Sequence, residues 1–302
     1  QPHASPRGDP RERGSAGATM MRRGVSVVLS AAAAAALVQP RSARLPARHV
    51  FMSAAEPTIT PITGNVLVVG GTGGLGTAMT KNLVDRGLNV YATVRKSADE
   101  ELKASGATVI EGVDLAKDDC GARIVQSLGD AKIDMVMVVA GIFITETWEE
   151  PKWDANRLMY QVCAVAPLII ANELVKAGNL GEGSRYAMIT SEGGSIGLRT
   201  QEEGGLNYGH HMSKAAQNMC GKLLSFDMAP FGVSVLMLHP GFLKTPMTQH
   251  YSHLYEQYGA VTPDYAAEHI LQAVERLNMG NTGRFVAPMG SAGLGLGAMA
   301  LK

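Results

Sequence analysis

Cysteine is scarce in this chain: three in 302 residues, Cys120, Cys163 and Cys220. They are far apart, odd in number and lack the spacing of a metal site, so neither a disulfide framework nor a zinc centre is implied, and no metal is expected. Net charge is also missing, because 27 basic and 27 acidic residues cancel. The cancellation is uneven. The first 55 residues carry eight Arg against Asp9 and Glu12, which leaves the rest net acidic. A net-acidic body is poorly suited to a phosphate backbone, so nucleic acid is set aside as a partner.

Acidic residues and Lys are both absent between Glu12 and Glu56, where Arg, Ala and Ser abound. That is the composition of an organelle-targeting segment. "MMRRGVSVVLSAAAAAALVQP" gives a basic start, an apolar run from Val25 to Val38 and a small-residue zone. The run is shorter than the roughly 20 apolar residues of a bilayer-spanning helix. The basic stretch after it makes residues 1–51 resemble a bipartite plastid leader, removed near Phe51. A secretory signal, another organelle or an ordinary disordered tail are the competing readings. No membrane span is expected in the mature chain, residues 52–302.

No internal repeat or long linker interrupts the remainder. A composition that is 46% hydrophobic supports one sizeable α/β core and is thin for two. From Gly64 onward, short apolar runs alternate with helical patterns. Strands are expected at "NVLVVGG" and near 90–94, 108–111, 133–139, 186–190, 233–238 and 284–287. Helices are expected near 75–86, 98–104, 118–128, 151–177, 211–228 and 264–278. About seven unalternating strands separated by helices mean a parallel sheet buried on both faces, a doubly wound Rossmann-type fold in a single domain.

The first strand-to-helix turn reads "VVGGTGGLGTAM". Gly71, Gly73 and Gly76 fit G-x-G-x-x-G, while Gly70, Gly74 and Gly76 fit G-x-x-x-G-x-G. With Thr72 and Leu75, they would form a turn that brings backbone N–H groups and a helix N-terminus to a pyrophosphate. At the end of the second strand, "YATVRKS" puts Arg95 nineteen positions after Gly76, with Lys96 next to it. A ribose 2′-hydroxyl calls for a carboxylate there and a 2′-phosphate for a cation, so NADP(H) is expected ahead of NAD(H).

With these pieces the chain resembles the short-chain dehydrogenase/reductase family, especially its C-factor-like members, from about Asn65 to Gly290. The resemblance rests on the glycine turn, "GVDL", "VVAG", "ITSEGGSIG", "HHMSKAAQNM" and "HPGFLKTPM". It implies that Asp114 and Leu115 lie by the adenine, and Ala140 and Gly141 by the adenosine ribose. It places Pro240, Gly241 and Thr245 by the nicotinamide and makes Lys214 both a cofactor ligand and a catalytic residue. The family's catalytic four are a serine that orients a carbonyl, a tyrosine that exchanges the proton, a lysine that tunes the tyrosine and an asparagine that supports a water relay. Ser191 and Lys214 match. Cys163 stands where the asparagine belongs, and His210 stands where the tyrosine belongs.

Three readings of "NYGHHMSKAA" follow. His210 is the acid/base, its imidazole biased to neutrality by a cation one helical turn away. Alternatively Tyr208 substitutes; a regular helix would offset it about 120° from Lys214, unless Gly209 delays the helix start. Or the site binds cofactor and transfers no hydride. The expected function is therefore an NADP(H)-dependent oxidoreductase for a small carbonyl or alcohol. The alternative is a noncatalytic NADP(H)-binding protein that serves as a redox sensor or assembly partner. Phe242–Val261 is either the family's mobile substrate loop or a packed surface helix. Helices near 156–176 and 212–228, with Ala216, Met219, Leu223 and Phe226 in an apolar pattern, predict a homodimer.

Overall fold

The computed structural model describes residues 58–201 and 204–290. The leader expected over residues 1–51 lies outside the described residues. Seven strands form one wholly parallel sheet: β1 (Asn65–Val69), β2 (Asn89–Thr93), β3 (Thr108–Ile110), β4 (Met135–Val138), β5 (Arg185–Ile189), β6 (Ser234–Leu238) and β7 (Arg284–Val286). Their order is β3-β2-β1-β4-β5-β6-β7. The chain reverses direction across the sheet between β1 and β4, and a doubly wound sheet opens its ligand crevice at that switch, beyond the carboxyl ends of the strands.

Strand alternation divides the core into two layers. Leu67, Val136, Tyr186 and Val235 face a cluster that includes Ile124 of α3 (Cys120–Leu128) and Ile170 and Leu174 of α5 (Ala166–Lys176). Val66, Val68, Met135 and Met137 point the other way. They meet Met79 and Leu83 of α1 (Gly74–Asp85) and Ile270 and Leu271 of α7 (Pro263–Glu275). Each such fully buried side chain contributes about 1.5–3 kcal/mol relative to exposure. A short α2 (Glu100–Ala104) closes the β2–β3 connection, with the Asp99 carboxylate accepting from Leu102 N–H at its start.

Two elements differ from the helical pattern in the sequence. The helix expected over 151–177 is three pieces: α4 (Trp153–Tyr160), a π-helical turn at Gln161–Val165, and α5. One 3.6-residue periodicity cannot reveal a single wide turn. The whole stretch Trp153–Lys176 is long and apolar enough to cross a membrane. Half of it is buried inside the protein, as expected of a core helix. The second difference is α6 (Tyr208–Asp227), which begins three residues before the expected start and runs through Gly209 and Gly221. Side chains at Gly221 would collide with Met188 and Met237, so this glycine sets how closely α6 lies on β5 and β6.

The β1–α1 turn shows the same close packing, because a Cβ on Gly76 would run into the carbonyl oxygen of Gly70. Gly76→Ala should cost about 1–3 kcal/mol, as overpacking against backbone does. Urea unfolding should show a lower midpoint at unchanged slope; an unchanged midpoint would mean that the turn yields without cost.

Candidate active site

Five connections meet at the carboxyl end of the sheet. The first is the β1–α1 turn. Gly73 has φ +77° and Gly74 φ +40°, conformations that side chains resist, and a Cβ on Gly73 would meet nothing within 4 Å. Gly73 caps α1 without a side-chain acceptor, and the first turn of the helix holds no acidic residue. Gly76 N–H turns back to Gly73 O at 3.0 Å, and the first N–H groups of α1 and the positive end of the helix dipole are left for an anion. A Cβ on Gly74 would approach Thr245 Cγ2 to 2.8 Å, so the segment after β6 comes directly over this turn. Gly70 N–H donates to Thr93 Oγ1 at 3.1 Å, which ties the turn to the end of β2.

Beyond β2, Arg95, Lys96 and Asp114 line one open depression of about 530 Å³, with Gly112, Lys117 and Arg123. The sequence reading had found the first three. Lys117 and Arg123 were missed; Arg123 Nε donates to Asp119 Oδ2 at 2.7 Å, and that i,i+4 spacing is the only signal the sequence offered for it. Arg95, Lys96 and Lys117, with Arg123 paired to Asp119, outnumber the one lining carboxylate, which suits a phosphate-bearing group. The open glycine turn, uncapped helix and basic depression fit an adenine dinucleotide from pyrophosphate to ribose phosphate.

After β4, Ala140 N–H is held by Val69 O at 2.8 Å, and Gly141 faces the interior. A Cβ on Gly141 would lie 3.6 Å from Lys214 Nζ and 3.7 Å from Cys163 Sγ, so the π-helical turn and α6 meet there. Such turns recur at functional sites because they displace one residue from the regular ladder. Cys163 is fully buried, and its Sγ lies a long 3.9 Å from Ile142 O. After β6, Gly241 has φ +76°, and Thr245 and Thr248 form a capping box that opens the 3₁₀ segment Pro246–Leu254, which kinks at Tyr251. Pro240 connects β6 to that segment.

Ser191 lies two residues past the end of β5, with extended backbone (φ −159°). Its Oγ accepts from Gly193 N–H at 3.0 Å, which leaves the hydroxyl proton free to donate. Lys214 is buried, and Nζ donates to Ile189 O and to Gln217 Oε1, each at 2.9 Å. Burial pushes its pKa down from the usual lysine range, partly opposed by Cys163. His210, one turn earlier on α6, packs edge-on to Phe143 with 4.7 Å between ring centroids. Burial, then the charges of Lys214, His211 and Arg199, lower its pKa to about 3. Its Nδ1 is buried with no hydrogen-bond partner. Phe143 in turn stacks with His250 and Tyr251 of the 3₁₀ segment at 6.0 and 6.1 Å. The Phe242–Val261 loop therefore covers the histidine through one aromatic ring.

Tyr208 is the first residue of α6, its ring 6.2 Å from Trp148. A Cβ on Gly205 would lie 2.8 Å from the Tyr208 hydroxyl. The regular helix through Gly209 keeps the angular offset from Lys214. Glu146, absent from the sequence reading, explains why α6 starts early: its carboxylate accepts from Gly209 N–H at 2.8 Å, Lys152 N–H at 2.9 Å and Asn156 Nδ2 at 3.0 Å. Burial raises the Glu146 pKa, but these donors outweigh it and hold the carboxyl below the usual range. One of three acids in the loop "GIFITETWEE", Glu146 carries no local sign of such a long-range cap.

Residues 64–255 match the family model described as short chain dehydrogenase, and the chain belongs to that family. The 1-hydroxy-2-glutathionyl-2-methyl-3-butene dehydrogenase of Rhodococcus sp. is 32% identical over 222 residues, covering 73% of this chain and 94% of that protein. C-signal of Myxococcus xanthus is 32% identical over 126 residues, 42% of this chain and 70% of that one. Among solved structures, an NADPH-bound carbonyl reductase from chicken fatty liver superposes with a TM-score of 0.67 at 21% identity, covering 80% of this chain and 96% of that one.

His210 should remain neutral through the pH range in which histidines ordinarily titrate. The unfolded chain binds a proton near 6.5 and the folded one only near 3, so this group makes stability fall as pH drops through that window. Ring-carbon NMR should show no His210 titration between pH 5 and 8, and His210→Phe should flatten part of the acid loss of stability. A His210 midpoint near 6.5 would refute the burial argument.

Proposed function

We propose that the protein is an NADP(H)-dependent oxidoreductase that interconverts a small carbonyl compound and its alcohol. Four features support this reading: Lys214 is held by the last carbonyl of β5 two residues before Ser191, His210 is kept neutral by burial and the Lys214 charge, α1 starts uncapped, and a basic depression lies beyond β2. NADPH, when bound, would supply the hydride. Ser191 donates its hydroxyl proton to the substrate oxygen and orients it. His210, uncharged, presents an N–H to the same oxygen and gives up that proton as the alkoxide becomes the alcohol, leaving an imidazolate near the Lys214 ammonium that solvent then reprotonates. Lys214, with two of its three protons held by Ile189 and Gln217, keeps the third for a cofactor hydroxyl, and its charge favours the electron-rich imidazole. Tyr208 is not assigned the proton transfer, because α6 is regular across Gly209.

Arg95 and Lys96, joined by Lys117, support NADPH over NADH, as does the NADPH in the chicken reductase of the same fold. Calorimetric titration should give at least several-fold tighter binding of NADPH, and Arg95→Asp should abolish or reverse the preference. Equal affinities in the unaltered protein would remove this assignment.

Exposed Met212, Met219, Leu223 and Phe226 on α6, with Leu158 and Leu168 on the neighbouring helical stretch, support a homodimer across this face. Light scattering should give the dimer mass at micromolar concentration, and a monomer alone would refute it. The Arg-rich leader, free of acidic residues between Glu12 and Glu56, supports delivery to a plastid.

The proton donor is tested with NADPH and a panel of carbonyl compounds. His210→Phe should lower turnover by 10²-fold or more, the usual contribution of a positioned acid/base group, with NADPH affinity nearly unchanged. His210→Tyr should keep or raise the rate. Loss in Tyr208→Phe but not in His210→Phe would transfer the role to Tyr208. Inactivity of both the unaltered protein and His210→Tyr, with NADPH still bound, would make the cofactor a bound signal.

A further inference from the structure

Lys214 carries its ammonium in the interior without a carboxylate partner among the described residues. Among the described residues its hydrogen-bond acceptors are one backbone carbonyl, Ile189 O, and one side chain, Gln217 Oε1. The other groups near Nζ offer little. Cys163 Sγ, from the π-helical turn, is a weak acceptor. His210, from the same helix, is uncharged. Glu192, on the turn packed against α6, donates its N–H to His239 Nδ1 at 3.2 Å, keeps Oε1 3.8 Å from His239 Nε2 and has Oε2 buried without a partner, and its charge does not figure among those acting on Lys214.

Gln217 is fully buried, and its amide has a polar end that the fold does not use: Nε2 is enclosed with no acceptor. A buried amide with one unpartnered donor is a cost that a methionine of similar length would avoid. The lysine fixes which end is which, since an ammonium only donates and must face the amide oxygen. The burial of this amide is therefore accounted for by its oxygen, and that oxygen serves Lys214 alone.

We propose that Gln217 is the positioning residue of the site, the side chain that keeps Lys214 charged and aimed, in the place where Cys163 cannot help. With two protons fixed along known directions, the third points out of a restricted set, and an otherwise flexible side chain is set before any ligand arrives. The proposal rests on the reading of Lys214 as an active-site cation, but its test does not depend on turnover.

The test uses full-length protein and three variants: Gln217→Met, which keeps length and removes the acceptor; Gln217→Glu, which makes the acceptor anionic; and Cys163→Ala as a control. Titration of the Lys214 side chain by ¹⁵N NMR in the cofactor-free protein is expected to move to lower pH in Gln217→Met and to higher pH in Gln217→Glu, with Cys163→Ala giving a smaller downward move than Gln217→Met. NADPH affinity, read by nicotinamide fluorescence, should weaken about tenfold at pH 8 in Gln217→Met, the loss of one charge-assisted hydrogen bond. It should return in Gln217→Glu. An unshifted Lys214 titration in a folded Gln217→Met variant would make Gln217 a packing residue and overturn the proposal. Should that variant fail to fold, an unshifted titration in Gln217→Glu would overturn it equally. Shifted titrations in a protein that reduces no carbonyl would leave Gln217 in its role and dismiss the oxidoreductase reading instead.

Discussion

The site is organised around the burial of one ammonium group. A charge enclosed away from water must be satisfied by fixed dipoles or it loses its proton. Lys214 meets this requirement with the last carbonyl of β5 and an amide three residues along its own helix, with no ion-pair partner among the described residues. The same charge lies one helical turn from His210 and adds to the burial that keeps that imidazole neutral. The close approach of α6 to β5 and β6 is what brings the lysine to the Ile189 carbonyl, and Gly221 permits that approach. Sheet, helix and chemistry are thus coupled through the position of a single nitrogen atom.

The opposite end of the crevice obeys a different rule. There the fold leaves N–H groups uncapped and gathers cations, so the attraction is for anions: the α1 N-terminus at one point, Arg95, Lys96, Lys117 and Arg123 at another. The Gly74–Thr245 contact joins the glycine turn to the segment after β6, and Phe143 carries the contact onward from the 3₁₀ segment to His210. A ligand spanning both ends would be gripped by charge at one and held by hydrogen bonds at the other.

Features repeated along the sequence were legible in it. Seven apolar runs gave the strands within a residue or two at most ends, because burial on both faces leaves an unbroken apolar signature. The glycine turn and Arg95 were legible because backbone approach to a phosphate demands those residue types locally. Glu146 was not legible, because its three donors come from Gly209, Lys152 and Asn156, up to 63 positions away. The π-helical turn at Gln161–Val165 was hidden because one extra residue leaves composition unchanged. Gln217 looked like one more polar helix residue; only the distance to Lys214 distinguishes it. Leu206 and Asn207, both at positive φ just before α6, show the same limit, since the Glu146 cap and not local propensity sets that entry.

The central claim is that the proton donor at the substrate oxygen is an imidazole kept uncharged by burial and by Lys214. Its most direct measurement is the rate of NADPH oxidation with a reducible carbonyl from pH 5 to pH 8. The account predicts no acid limb in that range, because His210 takes its proton only near pH 3. A limb centred near 6.5 that disappears in His210→Phe would show a histidine titrating as in water, and would contradict the account.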